Sequence, residues 1–277
     1  MSEAVAFVGC GRITRAVVGG LVSGGAAPDT IRGVSRTGAG ARALGEEFGI
    51  RAATSVREAV DGADVVILAV HPHETPDALR TLAGVLAGGG PVLVSLVASC
   101  RTEAVAAVLP KVAVVRAVPN VAVAARHGVT VLSRGPHCPP EALTAARELF
   151  APLGEVLTAE EDLMETVSAL SGAGPALIAH FARALARAGV GQGLSADTAG
   201  ALAAHAVRGT GALLTAPGAT PDAVVDRVAS PGGMTEAALR TLDDRALPRT
   251  VQQALDAAVR LSLGRLLAGP ESPPVRS

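Results

Sequence analysis

Residues 4–14, A-V-A-F-V-G-C-G-R-I-T, carry the strongest local signal in the chain. Residues 4–9 form a short apolar run of the kind found in strands buried on both faces. Gly9-Cys10-Gly11-Arg12-Ile13-Thr14 then turns directly into a helix-like stretch that reaches Ser23. In such a turn the first glycine permits the tight bend. The second lets the backbone approach a diphosphate, whose charge the free amides of the helix start can bind. Thr14 stands where the pattern G-x-G-x-x-G has its third glycine, so the motif draws its weight from the strand before it and the helix after it. Without that context it is an ordinary β-α turn.

The same texture continues beyond the turn. Ile31–Ser35 reads as the next strand and Ala39–Phe48 as a helix ended by Gly49. Val65–Val70, Val92–Leu96, Val112–Ala117 and Val129–Leu132 are further Val-rich strand candidates with polar or helical segments between them. This alternation predicts parallel β-α-β units and an α/β, Rossmann-type doubly wound sheet over residues 1–158. From Glu160 to Leu267 no strand-like run remains. Asp162–Leu170, Pro175–Ala188, Ala196–Leu214 and Ala246–Leu267 have helical spacing, broken at Gly189–Gly193 and Pro217–Pro221. Residues 159–268 are therefore expected to form an all-α domain. Its helices carry few charges, and Ala201–Ala206 is nearly apolar throughout. A helix apolar all round needs covering on every side, which predicts an oligomer interface as well as a core. The Pro- and Ser-rich tail 269–277 is expected to be disordered.

Composition excludes several classes. The chain of 277 residues is 49% hydrophobic, with four Phe and no Trp or Tyr. No tyrosine phenol can donate a proton here, which removes the reductase families that depend on one. Net charge is −1 and the basic residues are scattered, so neither nucleic acid nor an anionic membrane is expected as a partner. No apolar run approaches the ~20 residues of a membrane span, and the first strand begins without a signal-peptide pattern. Cys10, Cys100 and Cys138 are odd in number and lack metal-type spacing, as expected in a reducing cytoplasm. His71 and His73 form H-P-H, but no acidic or thiol cluster lies near them in sequence, and no metal is expected. His71 follows a sheet strand and is a candidate proton donor near neutral pH.

The end of the second strand selects between dinucleotides. NAD sites place an acidic residue there for the ribose 2′-hydroxyl, whereas NADP sites place Arg and hydroxyls around the 2′-phosphate. Here Ser35-Arg36-Thr37 is followed by no carboxylate until Glu46. NADPH is expected over NADH, because a guanidinium can grip the extra phosphate with two hydrogen bonds.

Two segments of the helical half place hydroxyls and glycines at what read as helix starts: Ser168-Ala-Leu-Ser171-Gly-Ala-Gly174-Pro175 and Ser230-Pro231-Gly232-Gly233-Met234-Thr235. Free amides together with hydroxyls suit a carboxylate. Each segment alone also reads as a plain capped helix.

Together with the N-terminal turn, these segments resemble the pyrroline-5-carboxylate reductase family. The resemblance runs over about residues 4–265 and includes F-V-G-C-G at 7–11, A-D-V-V-I-L-A-V-x-P at 63–72 and V-R-A-V-P-N at 115–120. It continues with G-V-T at 128–130, A-L-S-G-A-G-P-A at 169–176, G-L-S-A-D at 193–197 and S-P-G-G-M-T at 230–235. It implies NAD(P)H-dependent reduction of a cyclic imine, 1-pyrroline-5-carboxylate, to L-proline in proline biosynthesis. It also implies a C-terminal domain that interlocks in a homodimer, stacked by some members into a decamer, with the active site between the domains. By resemblance, Gly9, Cys10, Gly11, Arg12, Ile13, Thr14, Ser35, Ala69, Val70, His71, Pro72, Ser95, Leu96 and Val97 line the cofactor site, joined by Arg36 and Thr37. Asn120, Glu161 and Ser168 match positions near nicotinamide or substrate. Ser230, Gly232, Gly233, Met234 and Thr235 hold the substrate's carboxylate and ring.

The imine carbon accepts hydride only when its nitrogen is protonated or hydrogen-bonded, and Thr235 is the candidate hydroxyl for that nitrogen. Several positions depart from the family pattern: Arg12-Ile13 for Asn-Met, His71 for Lys, Val56 for Asn, Val121-Ala122 for Thr-Pro, His127 for Glu, Ala173 for Ser and Leu177 for Tyr. Arg227 replaces a residue that often bears an amide and is a candidate contact for the substrate carboxylate. These departures keep two alternatives open: an imine reductase of a specialised pathway acting on a different ring, and a catalytically silent NADPH-binding paralogue.

Overall fold

The computed structural model describes residues 4–268; the expectation of disorder for 269–277 lies outside the described residues. Eight strands form one sheet: β1 (Val5–Val8), β2 (Ile31–Val34), β3 (Arg51–Ala52), β4 (Val65–Leu68), β5 (Val92–Ser95), β6 (Val114–Pro119), β7 (Gly128–Arg134) and β8 (Gly154–Thr158). The helices among the described residues are α1 (Arg12–Ser23), α2 (Ala39–Phe48), α3 (Val56–Val60), α4 (Thr75–Val85), α5 (Thr102–Val108), α6 (Pro140–Phe150), α7 (Met164–Val167), α8 (Ala173–Gly191), α9 (Ala196–Leu214), α10 (Pro221–Asp226), α11 (Met234–Asp244) and α12 (Leu247–Ala268).

The strand order is β3-β2-β1-β4-β5-β6-β7-β8, and pairing is parallel from β3 through β6. Side chains alternate between two apolar layers, as strand periodicity requires. Val5, Phe7, Ile31, Val65, Ile67, Val94 and Val115 face a layer that includes Val17, Leu21, Leu44 and Leu149. Ala6, Val8, Val66, Leu68, Leu93 and Val114 face the other, with Ala59, Leu79, Leu82 and Val105. Burial on both faces explains why these strands read as unbroken apolar runs.

The expected parallel units do not extend to β7. It pairs antiparallel to β6, with Pro119 opposite Thr130 and Val115 opposite Arg134. The connecting segment 120–127 is shorter than the dozen or so residues of a parallel crossover, so the chain must double back. β8 then pairs parallel to β7. Neither β3 nor β8 was legible in the sequence: β3 is two exposed residues, and β8 is an edge strand exposed along most of its length.

The chain divides into two compact units. The first runs to Gly172 and takes in α12 again from Ala258; the second is Ala173–Ala257. The compact boundary thus lies beyond the change of texture near Thr158, because residues 161–165 are tied to β6 by a buried ion-pair cluster described below. In the second unit α8 and α9 pack together, yet Leu177, Ile178, Phe181, Leu185 and Leu202 remain exposed. Such a density of large apolar side chains at the surface marks an association face.

Candidate active site

The β1–α1 turn is built by sterics. Gly9 has φ +103°, and a Cβ there would lie 2.4 Å from the carbonyl oxygen of Ala69. Only glycine lets this turn lie against the end of β4. Gly11 caps α1, and a Cβ on it would meet nothing within 4 Å. No side chain caps α1 and no acidic residue occupies its first turn, so its leading amides stay available to an anion. Thr14 is fully buried and its hydroxyl donates to the carbonyl of Gly9 at 2.8 Å. That bond ties the turn where the motif has its third glycine. The cradle beside Gly11 and the uncapped helix start fit the diphosphate of a dinucleotide.

Cys10 offers that cradle its backbone. Its Sγ donates to Val34 O at 3.5 Å, and its side chain packs against Gly33 and Gly40. Burial pushes its thiol up to about 11, so the folded protein favours the neutral thiol. Its stabilising contribution is whole below the ordinary thiol value and is lost as pH rises toward 11. At pH 8.5 alkylation of Cys10 is therefore expected to run at least ~10-fold slower in the folded protein than in urea. Equal rates by peptide mass spectrometry would contradict that burial.

The other expected cofactor residues also lie where the parallel strands end. Ser35-Arg36-Thr37 follows β2, Ala69-Val70-His71-Pro72 follows β4, Ser95 ends β5 with Leu96 and Val97 beyond it, and Asn120 follows β6. The order β2-β1-β4 reverses the winding at β1, which is where doubly wound sheets bind ligands. Ser35 Oγ accepts from Ala41 N at 3.2 Å at the start of α2. Asn120 Oδ1 accepts from Ala122 N and Val129 N at 3.2 and 3.3 Å, so its carbonyl end shapes the β6–β7 connection. The fully buried Ser95 hydroxyl accepts from Val97 N at 3.4 Å.

One carboxylate at this edge was not found from sequence. Glu74 Oε1 lies 2.9 Å from Arg36 Nε, and Glu74 Oε2 accepts from His71 N at 3.4 Å. It arrives from the loop after β4, a segment distant in sequence from the end of β2 that carries Arg36. His71 is exposed, its ring stacked on that of His73 with centroids 5.7 Å apart. No group of three or more metal-ligating side chains occurs among the described residues.

Arg116 was quoted in V-R-A-V-P-N without a role, and it proves to be the largest fully buried side chain among the described residues. Its Nη1 donates to Glu161 Oε1 at 3.1 Å and its Nη2 to Glu165 Oε1 at 2.7 Å. Thr102 N also donates to Glu161 Oε1, at 3.3 Å, and Ser262 Oγ donates to Glu165 Oε2. Glu161, expected at the substrate, pairs with Arg116 through Oε1, while its buried Oε2 has no hydrogen-bond partner among the described residues. A charged residue in the middle of a run buried on both faces was the available signal, because such a charge must find partners.

Ser168–Pro175 is not the expected helix start. Ser168–Gly172 forms a π-helical turn that follows α7 and leads directly into α8. Pro175 has no amide to give the carbonyl four residues back, and a wider turn accommodates that loss. Ser168 is half-buried in this turn.

The second expected start is a true one. Gly233 caps α11, its amide donating to Ser230 O at 2.9 Å, and Gly232 has φ +73°. Thr235 is half-buried in the first turn, Met234 is 90% exposed, and Arg227 lies exposed just after α10. The Gly232 amide donates to Glu236 Oε2 at 2.7 Å, a local carboxylate that the sequence reading did not single out.

The chain is similar to known proteins over nearly its whole length. Residues 161–263 match the family described as pyrroline-5-carboxylate reductase dimerisation, and residues 4–99 match NADP oxidoreductase, coenzyme F420-dependent. A pyrroline-5-carboxylate reductase of Thermus thermophilus is 37% identical over 92% of this chain and 96% of its own. That of Escherichia coli is 30% identical over 92% and 95%. A solved pyrroline-5-carboxylate reductase from Coxiella burnetii superposes with a TM-score of 0.88 at 29% identity, covering 95% of this chain and 98% of its own. A Plasmodium falciparum pyrroline carboxylate reductase with NADP bound shares the fold, with a TM-score of 0.82 at 20% identity over 94% and 97%.

Proposed function

The chain belongs to the pyrroline-5-carboxylate reductase family, and we propose that it reduces 1-pyrroline-5-carboxylate to L-proline with NADPH as the preferred hydride donor. The observation that carries this reading is the open, uncapped start of α1 beside Gly11 at the winding reversal of the sheet. A dinucleotide bound here would supply the hydride that reduces the imine carbon. The amides of Gly11, Arg12 and Ile13 hold its diphosphate, and Gly9 and Thr14 keep that turn in shape. Ala69–Pro72 and Ser95–Val97, at the strand ends, would line its site, and Asn120 and Ser168 would serve the nicotinamide end. In the helical unit, the amides that open α11 orient the substrate carboxylate, Arg227 adds a charge for it, and Thr235 hydrogen-bonds the imine nitrogen. The exposed faces of α8 and α9 are covered in a homodimer. The free thiols Cys10, Cys100 and Cys138 suit a reducing cytoplasm, and no helix among the described residues is long and apolar enough to cross a membrane.

The test is an absorbance assay of NADPH oxidation with pyrroline-5-carboxylate and with carboxylate-free and six-membered imines. Preferred turnover of pyrroline-5-carboxylate is expected. Preferred turnover of another ring would move the protein to that substrate, and turnover of none would leave a silent cofactor-binding protein.

Cofactor preference turns on Arg36 and Glu74. A 2′-phosphate must share the Arg36 guanidinium with the Glu74 carboxylate, which is of the same charge. Arg36→Asp is expected to move the kcat/KM ratio about tenfold toward NADH, the size of one lost charge-assisted hydrogen bond. Glu74→Gln is expected to move it the other way. Unchanged ratios in both variants would place the 2′-phosphate elsewhere.

A further inference from the structure

The opening of α11 already holds a carboxylate of its own. Glu236 is the third residue of α11, and its Oε2 accepts from the Gly232 amide at 2.7 Å. Its other oxygen lies 3.4 Å from Arg240 Nη2, an exposed i,i+4 partner. At this position a glutamate commonly reaches back to an amide before the helix, and the positive end of the helix dipole favours its charge there. In this chain the same few amides are those assigned above to the substrate carboxylate.

Two carboxylates cannot share them freely. An incoming one must either displace Glu236 from Gly232 or bind beside a like charge. We propose that Glu236 is a specificity-determining residue: its side chain occupies the anion-binding start of α11 as an internal competitor and weakens binding of imines that carry a carboxylate. This inference rests on the assignment of the Ser230–Thr235 loop to substrate. Carboxylate-free rings meet no such competitor, so Glu236 narrows the advantage of pyrroline-5-carboxylate over 1-pyrroline. Glu236 is not one of the groups placed on the ring or on the imine nitrogen; it acts through the amide that it holds.

Glu236→Gln separates charge from architecture, since the amide oxygen can still accept from Gly232 N while the negative charge is gone. Binding of L-proline and of pyrrolidine to the NADP+-loaded full-length protein is measured by calorimetry for wild type and variant. The variant is expected to bind L-proline roughly fivefold more tightly, the size of one solvent-exposed charge interaction. Pyrrolidine affinity is expected to change less than about twofold, within the scatter of surface substitutions. Unchanged or weaker L-proline binding overturns the proposal, as does an equal change for both ligands, which indicates a structural role for the side chain. Turnover of pyrroline-5-carboxylate by the wild type, assayed alongside, tests the parent reading separately. If that turnover is absent while the selective gain in L-proline affinity is seen, the role of Glu236 stands and the substrate assignment falls.

Discussion

Arg116→Leu is expected to destabilise the protein by ~3–5 kcal/mol, the cost of removing one partner from a buried charge cluster. The guanidinium is 2% exposed and lies between carboxylates that are 10% and 5% exposed. Leucine would leave two carboxylates in the interior without their counter-charge, and the cost of that exceeds anything gained from the added apolar surface. The damage should spread through the contacts that the carboxylates make. Glu161 holds the start of α5 through Thr102 N, and Glu165 holds Ser262 on α12. Urea unfolding measures the loss, with the midpoint falling and the slope little changed. The triple change Arg116→Leu, Glu161→Gln, Glu165→Gln removes all the charges and should recover part of it. A single-variant loss below about 1 kcal/mol, the range of exposed pairs, would show that solvent reaches the cluster.

The contrast between Arg116 and Gly9 shows which parts of this molecule its sequence reveals. Gly9, Gly11 and Thr14 act within one turn, so their spacing alone states the steric requirement, and the structure meets it with a positive φ and a short hydroxyl bond. Helices with regular apolar spacing and clear end signals are equally local. Ala39–Phe48 and Ala196–Leu214 occupy the expected limits. The ties that were missed join distant segments: Arg116 to Glu161 and Glu165, and Arg36 to Glu74. Each depends on how strands and their following loops are ordered across the sheet, which periodicity does not specify. The reversal at β7 depended on counting the residues available for a crossover. At Ser168–Pro175 local punctuation was misleading, because glycines and a proline that usually open a helix here accompany a π-helical turn leading into α8. Glu236 lies at an ordinary capping position; its interest arises only once the amides it uses are assigned to a ligand.

Thr235→Ala is expected to lower kcat for pyrroline-5-carboxylate by about 10²-fold, the lower end of what a positioned hydrogen-bonding group contributes to proton-coupled steps. The chain has no tyrosine, and His71 stands exposed on the turn after β4, stacked on His73. Thr235, at the start of α11, is the hydroxyl assigned to the imine nitrogen. Its hydroxyl can donate to a neutral imine or accept from the N–H of an iminium ion. Because the iminium is electrophilic without help, the penalty should be smallest at low pH, where the substrate arrives protonated, and should grow as pH rises. Serine at this position keeps the hydroxyl and should restore most of the activity. The KM for NADPH should stay within about twofold, as expected for a residue without cofactor contacts. If turnover and NADPH affinity fell together, or if the penalty were the same at every pH, Thr235 would be shaping the fold of the loop and the nitrogen would be bound by another group.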